Sequence, residues 1–459
     1  MYRNSRLVAF VSAHTWLASV FASMELLRRS APLARPVKVL QFGEGNFIRA
    51  FLDWLVERMN RVSGFDGAVQ IVKPRGGIET CRRVNDQDGL YHIVQRGVLD
   101  GKPVESIELV ECVKGCLDPV AEWESVLATA RLPELRFVFS NTTEAGIEYR
   151  AGEDTFPSKV ARLLAARCEA GLPGLVFLPC ELIEANGDRL RECVLKYLSG
   201  EPSVAEYVER ECVFCNTLVD RIVSGFPQKD CGRYFRQLGA EDRLMVCGEP
   251  FFFLAIQGPE WLSKELPFEK TGLDVRLVKD LAPYRTRKVR FLNGAHTSSV
   301  LGAHLAGLTY VDEMVRDERF GAFLRRVLFE EVMPTVRLPE DEKKSYAQAV
   351  LERFANPFAE HRLLSIALNS VSKWRVRVLP TLLDYTALFG KLPPCLTKSM
   401  SYLIDFYRTC PFQDTPQVAA FFERRPGTAE ILGNTEFWGM DLNGIPGFTQ
   451  AVAEGLEHS

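Results

Sequence analysis

At 459 residues the chain is longer than a single core normally grows, so two domains are the starting expectation. Hydrophobic residues make up 47% and charged residues 25%, which is ordinary soluble globular usage rather than that of a disordered or fibrous chain. A net charge of -3 with no long Lys/Arg block argues against nucleic acid as a partner and favours a small molecule.

In chain order, the first feature is an apolar stretch, Leu7 to Ala22, behind Arg3 and Arg6. It superficially resembles a signal peptide but is interrupted by Ser12, His14 and Thr15 and is too short to span a bilayer comfortably. The preferred reading makes residues 1–30 an extension, with Met24 as the natural start. No later apolar run is long enough for a transmembrane helix, so no membrane partner and a cytoplasmic location are expected.

Val37 to Phe42 reads as a short apolar strand, followed by Gly43-Glu44-Gly45 and by apolar residues at helical spacing from Phe47 to Met59. A strand, a glycine turn and a helix open a dinucleotide-binding βαβ unit. Glycines let the backbone approach a pyrophosphate, and the helix N-terminus supplies free N–H groups. Gly43, Gly45, Asn46 and Phe47 are therefore the candidate cofactor residues. The G-x-G-x-x-G pattern is incomplete, because Ile48 takes the third glycine's place. After the next strand, Ala68 to Pro74, Lys73 and Arg75 stand where an acidic ribose ligand would be expected, which leaves NAD and NADP open.

Further strands are expected at Leu135 to Asn141 and Gly174 to Cys180, with helices between, as in VAEWESVLATA and SKVARLLAARCEAG. This alternation predicts an α/β, Rossmann-like domain over 31–284, with a mainly parallel sheet covered on both faces. Asn141 and Thr142, at the ligand-binding edge of such a sheet, join the cofactor set. From about residue 285 long amphipathic patterns dominate, which predicts a mostly α-helical domain over 285–459. The twelve cysteines are scattered. Cys212 and Cys215 form an isolated C-x-x-C, read as reduced thiols acting as small hydrophobes.

Lys288 to Val300, KVRFLNGAHTSSV, carries the chemistry. At α-helical spacing Asn293 lies roughly 140° from Lys288 and His296 roughly 80°, so all three fit one broad face. Ketone reduction asks for such a set: an ammonium to give a proton, an amide N–H for the developing oxyanion, and a histidine to orient them. For Lys288 to cycle near neutrality its pKa must fall to roughly 7–8, helped by burial and by Arg285, Arg287 and Arg290 if their heads approach.

The glycine turn and the K-x-x-x-x-N-G-x-H motif, met by Lys288, Asn293, Gly294 and His296, together resemble the mannitol dehydrogenase superfamily of polyol-specific long-chain dehydrogenases. QFGEGNFIRAF, DGLYHIVQRG, RFVFSNTTEAGIEY, PCELIEANGDRLRE, TLVDRIV, IQGP, KVRFLNGAHT and NPFAEHRLLSIALN resemble a branch acting on sugar acids, from about Met24 to at least residue 410. The resemblance implies NAD as cofactor, no catalytic metal, and D-altronate and D-tagaturonate as the substrate pair. It assigns Lys288 as catalytic acid/base, Asn293 as oxyanion donor and His296 as orienting group.

Cys180-Glu181-Leu182 departs from the C-D-N of mannitol-type members, so Asn186 is the substitute candidate for a second oxyanion donor. Asp220 matches a substrate-proximal position, against a plain structural contact with Arg221. The acid group needs a cation: Lys373, Arg375 and Arg377 are the candidates, with His361 upstream; Lys373, which the resemblance favours, and Arg375 are two residues apart and cannot share a helix face. A monomer or small homo-oligomer is expected. The rival readings are a fructuronate, mannitol or other polyol dehydrogenase, a metal-dependent isomerase or hydrolase using His296, His304 and Asp220, and a non-catalytic nicotinamide-binding regulator.

Overall fold

The computed structural model describes residues 24–74 and 78–457, so the N-terminal apolar stretch and Arg75 lie outside the described residues. The chain divides into two compact units. One comprises the chain up to Gln95 with Glu105–Leu281; the other comprises Arg96–Val104 with Ala282 onward.

The strands, in order, are β1 (Val37–Phe42), β2 (Ala68–Val72), β3 (Tyr91–Leu99), β4 (Lys102–Val110), β5 (Val113–Leu117), β6 (Phe137–Ser140) and β7 (Val176–Pro179). They continue with β8 (Val213–Phe214), β9 (Asn216–Asp220), β10 (Val223–Gly225), β11 (Val246–Gly248), β12 (Phe253–Gln257) and β13 (Asp274–Val278). Six form one sheet in the order β5-β2-β1-β6-β7-β8, and every pairing in it is parallel.

The sequence builds this sheet by burying alternate residues on opposite faces. Val39, Ile71, Phe139 and Leu178 enter one apolar cluster. Leu40, Val72, Val138 and Phe177 enter another on the far side. Both faces are thus covered, as a parallel sheet requires. The chain order reverses between β1 and β6, and such a switch point opens a crevice at the strand ends.

Two smaller sheets accompany it: β10-β11-β3-β4, and β13-β12-β9 with β12 antiparallel to β9. Neither was expected as a separate sheet: β12 is apolar from Phe253 to Ile256, but its partners β9 and β13 mix polar and apolar residues. A disulfide also links Cys81, on the Glu79–Asp86 helix, to Cys116 in β5. Thirty-five residues separate the pair in sequence, so no local spacing announced it. Cys212 and Cys215 are free thiols.

The second unit is predominantly helical. Its centre is Gly294–Leu305, buried without a break from Gly294 to Ala303. Two of its hydroxyls are satisfied within the helix. Ser298 and Ser299 donate to the Ala295 carbonyl at 3.1 and 2.6 Å. HRLLSIALNSVSKW, a single amphipathic stretch in sequence, breaks into Leu363–Ile366 and Ser370–Arg377. Asn369 makes the break at φ 53, a left-handed conformation that asparagine tolerates. Among the described residues no helix is long and apolar enough to cross a membrane.

Candidate active site

In the first unit the site is built around the end of β1. Gly43 has φ +127, and a Cβ there would lie 2.9 Å from the Asn141 carbonyl oxygen, so only glycine closes this turn against β6. The turn therefore sits at the β1/β6 switch point. Gly45 and Asn46 follow, both exposed, where a helical run begins. A Cβ on Gly45 would meet nothing within 4 Å. A cleft of about 960 Å³ opens beside them, lined also by Arg49, Thr80 and Arg83.

The run from Asn46 to Val62 is not a plain α-helix, since Arg49–Asp53 winds as a π-helix. Arg49 faces inward and donates to the Glu44 carbonyl and to the Asn46 side chain, bracing the turn from below. Phe47 stacks on Phe51 at 5.0 Å.

Beneath the turn lies a buried polar group of four. Gln41 donates to the Gly43 carbonyl at 3.0 Å, and Asp53 and Tyr91 meet at 3.0 Å. The Tyr91 hydroxyl also reaches the Arg49 carbonyl at 3.0 Å. One hydroxyl hydrogen cannot serve both acceptors. A proton on Asp53 resolves this: the acid donates to Tyr91 and Tyr91 donates to Arg49. Burial pushes the Asp53 carboxyl up to about 7, against the opposing pull of Tyr91, Arg49 and Gln41.

Asn141 and Thr142 lie at the expected edge, but their side chains are engaged. Asn141 donates to the Cys180 carbonyl at 3.0 Å. Thr142 donates to the Glu181 carboxylate through both its backbone N–H (2.9 Å) and its hydroxyl (3.0 Å). Glu181, given no role in the sequence reading, is thus the brace of this edge, and burial raises its pKa.

Asn186 does not offer a donor. Its amide is directed at the carbonyls of Pro179, Glu181 and Thr217 and at the Thr217 hydroxyl, and its oxygen accepts from Thr217 N–H. The amide pins β7 to β9, so its surroundings do not support an oxyanion role. Asp220 is buried at the end of β9. Its neighbour Arg221 turns to the Ala50 and Glu249 carbonyls and lies 4.3 Å over Trp54.

In the second unit the motif residues adopt a geometry that uniform α-helical spacing does not give. Lys288–Asn293 is one turn of π-helix inside the continuous run from Ala282 to Leu305. An i→i+5 turn rotates less per residue than an α-helix, so Lys288 and Asn293 lie closer to one face than the roughly 140° of uniform α-helical spacing. His296 then follows three residues after Asn293, the spacing of neighbours on an α-helical face. Lys288 and Asn293 are half-buried and His296 is 8% exposed. Gly294 is fixed by contact: a Cβ there would lie 3.0 Å from the Arg377 carbonyl, so the Ser370–Arg377 helix closes directly on the motif.

Two of the three arginines expected to bear on Lys288 are paired with carboxylates. Arg287 pairs with Glu342 at 2.7 Å and lies over Tyr346, and Arg290 pairs with Asp384 at 2.6 Å.

His296 stacks on Phe354 at 3.8 Å and meets His361 edge-on at 5.6 Å. Its Nε2 is buried without a hydrogen-bond partner among the described residues. Burial first, then His361, Arg353, Arg377 and Lys373, hold its pKa well below the usual histidine value. It is therefore a neutral imidazole at working pH, able to orient but not to supply a proton. Arg375 is exposed and points elsewhere, donating to the Glu436 carbonyl at 3.3 Å, whereas Lys373 is half-buried. Of the three expected cations, Lys373 and Arg377 act on His296, while Arg375 turns away. Lys373 and Arg377 stand four residues apart, the spacing of neighbours on one helix face.

Two family descriptions match this chain: the mannitol dehydrogenase Rossmann domain over residues 37–270 and the mannitol dehydrogenase C-terminal domain over residues 280–459. The chain belongs to the mannitol dehydrogenase family. Its family relatives include the altronate oxidoreductase of Bacillus subtilis (strain 168), 41% identical over 447 residues, or 92% of each chain. The altronate oxidoreductase of Yersinia enterocolitica is 40% identical over 471 residues, 94% of this chain and 96% of that one.

Two solved structures share the fold. A substrate-free D-sorbitol dehydrogenase superposes with a TM-score of 0.81 at 20% identity, over 94% of this chain and 95% of its own. The Pseudomonas fluorescens mannitol 2-dehydrogenase, in ternary complex with NAD and D-mannitol, superposes with a TM-score of 0.68 at 19% identity over 95% of both.

Proposed function

We propose that the chain interconverts D-tagaturonate and D-altronate with NAD(H). The observation that carries this reading is the 41% identity with an altronate oxidoreductase along 92% of both chains, taken with the intact Lys288, Asn293 and His296. The first unit suits a dinucleotide: the glycine-closed turn, the exposed start of the helical run and the open space over Gly45 leave room for a pyrophosphate. Gly43, Gly45, Asn46 and Phe47 would hold it, with Asn141 and Thr142 along the same edge. When bound, NADH supplies the hydride.

The protein's own part is proton and charge management. Lys288 Nζ gives a proton to the carbonyl oxygen during reduction and takes it back during oxidation. The Asn293 amide donates to the oxygen as negative charge develops, where a preorganised donor is worth most. Neutral His296 holds a substrate hydroxyl or the lysine, and its unpartnered Nε2 gives it a free site for that bond. Asp220 is assigned to substrate hydroxyl contact and Lys373 to the acid group.

NADH absorbance, followed with a panel of keto-uronates and neutral ketoses, tests the assignment. Tagaturonate should be the best substrate. Activity confined to fructose and other neutral ketoses would replace it with a polyol dehydrogenase, and loss of activity with chelator would replace it with a metal enzyme.

A further inference from the structure

We propose that Arg377, with Lys373 one helical turn before it, clasps the carboxylate of the substrate beside His296 and so selects sugar acids over neutral ketoses. This rests on the substrate reading above and adds a residue and a recognition device to it.

The Ser370–Arg377 helix presents Lys373 and Arg377 at i and i+4, on one face, and Arg375 on another. The end of this helix is anchored to the motif, since the Arg377 carbonyl lies against Gly294, next to Asn293. Arg377 is half-buried, yet among the described residues no hydrogen bond or ion pair is formed by its guanidinium. Desolvation alone lowers its pKa, with no carboxylate to offset it. Among the described residues the Lys373 side chain donates only to the Ile366 carbonyl, at 2.8 Å.

Asp414 is the one carboxylate whose field reaches Lys373, and it is held by the Tyr407 hydroxyl and the Thr415 N–H. His361, Arg353, Arg377 and Lys373 all act on His296 with the same sign. Arg377 and Lys373, partly desolvated and short of counter-charge beside a buried imidazole with an unsatisfied nitrogen, are destabilising in isolation. The arrangement becomes favourable when an anion fills it. A planar carboxylate suits the guanidinium fork of Arg377 in bidentate contact and the ammonium of Lys373 as a point charge.

The test compares wild type with Arg377→Met, Arg377→Gln and Arg377→Lys. Each is assayed with NADH and tagaturonate, then with NADH and D-tagatose, which lacks the acid group. Melting shifts caused by D-altronate are read in parallel. Removing the guanidinium should raise KM for tagaturonate roughly a hundredfold, the loss of a charged hydrogen-bond pair, while leaving KM for tagatose within about threefold. Arg377→Lys should fall between, and the altronate melting shift should disappear in the Met variant.

A purely structural arginine would lower the melting temperature when removed. A binding arginine, buried without a partner, should leave it unchanged or higher. A tagaturonate KM within about threefold of wild type in a folded Gln or Met variant overturns the assignment of Arg377 and leaves the function standing. A wild-type protein that neither reduces tagaturonate nor is stabilised by altronate overturns both.

Discussion

Replacing Asp53 with asparagine tests the buried group beneath the glycine turn. Asp53 is fully enclosed, and its carboxyl titrates near 7 instead of 3.8 because the charged form is desolvated. The folded state therefore keeps a proton that the unfolded state releases. For an acid whose folded pKa is raised, stability falls as pH rises from the unfolded value to about 7, and the penalty is constant above that. A rise of about three units is worth about 4 kcal/mol in full, of which about 3 kcal/mol develops between about pH 5 and about pH 8. Asparagine has the same shape and can donate to Tyr91 from the position of the protonated oxygen, without the ionisation cost.

Thermal unfolding of Asp53→Asn and wild type should therefore diverge with pH. Near pH 5 the two should melt within a few degrees, and near pH 8 the variant should melt higher by roughly 5–10 °C, given the size of the unit. A variant that is destabilised equally at both pH values would refute the reasoning. It would mean that Asp53 is ionised in the fold and that Arg49 and Tyr91 stabilise its charge.

Other outcomes follow from the same geometry. Gly43→Ala should destabilise the first unit, because its Cβ meets the Asn141 carbonyl at 2.9 Å at a φ that disfavours side chains. Gly45→Ala should leave the melting temperature unchanged but weaken NADH binding at least tenfold by fluorescence titration; unchanged binding would remove Gly45 from the cofactor site. His296→Phe should lose most activity yet resist acid better. A histidine kept neutral by burial loses stability as pH falls below the unfolded value of about 6.5, and phenylalanine removes that loss while keeping the stack on Phe354. An unchanged acid limb in the melting profile would contradict this. Glu181→Gln should loosen the Asn141–Thr142 edge and raise KM for NADH, while a KM within about twofold of wild type would make Glu181 a passive contact.

The order of α/β and helical regions was legible because the strongest signals were local. Val37–Phe42 is mostly apolar and runs into a glycine turn, and the motif helix is marked by Lys288, Asn293 and His296. What the sequence hid depends on contact at a distance. The π-turns at Arg49–Asp53 and Lys288–Asn293 insert a residue without changing composition, so a uniform 100° step misplaces Asn293. Asn186 has the right chemistry for an oxyanion donor, and only the approach of β7 to β9 reveals that its amide is already engaged. Arg375 and Arg377 look alike in the string SKWRVR. The carbonyl contact of Arg377 with Gly294 and the turn of Arg375 toward Glu436 separate them.

The role of Lys288 is tested most directly by Lys288→Met, with NADH affinity and turnover measured on the same preparation. Binding should stay within about twofold of wild type while kcat for tagaturonate falls by about 10³-fold or more, the loss expected for a positioned proton donor. A kcat within about threefold of wild type would contradict the assignment and return the proton to solvent or to another side chain.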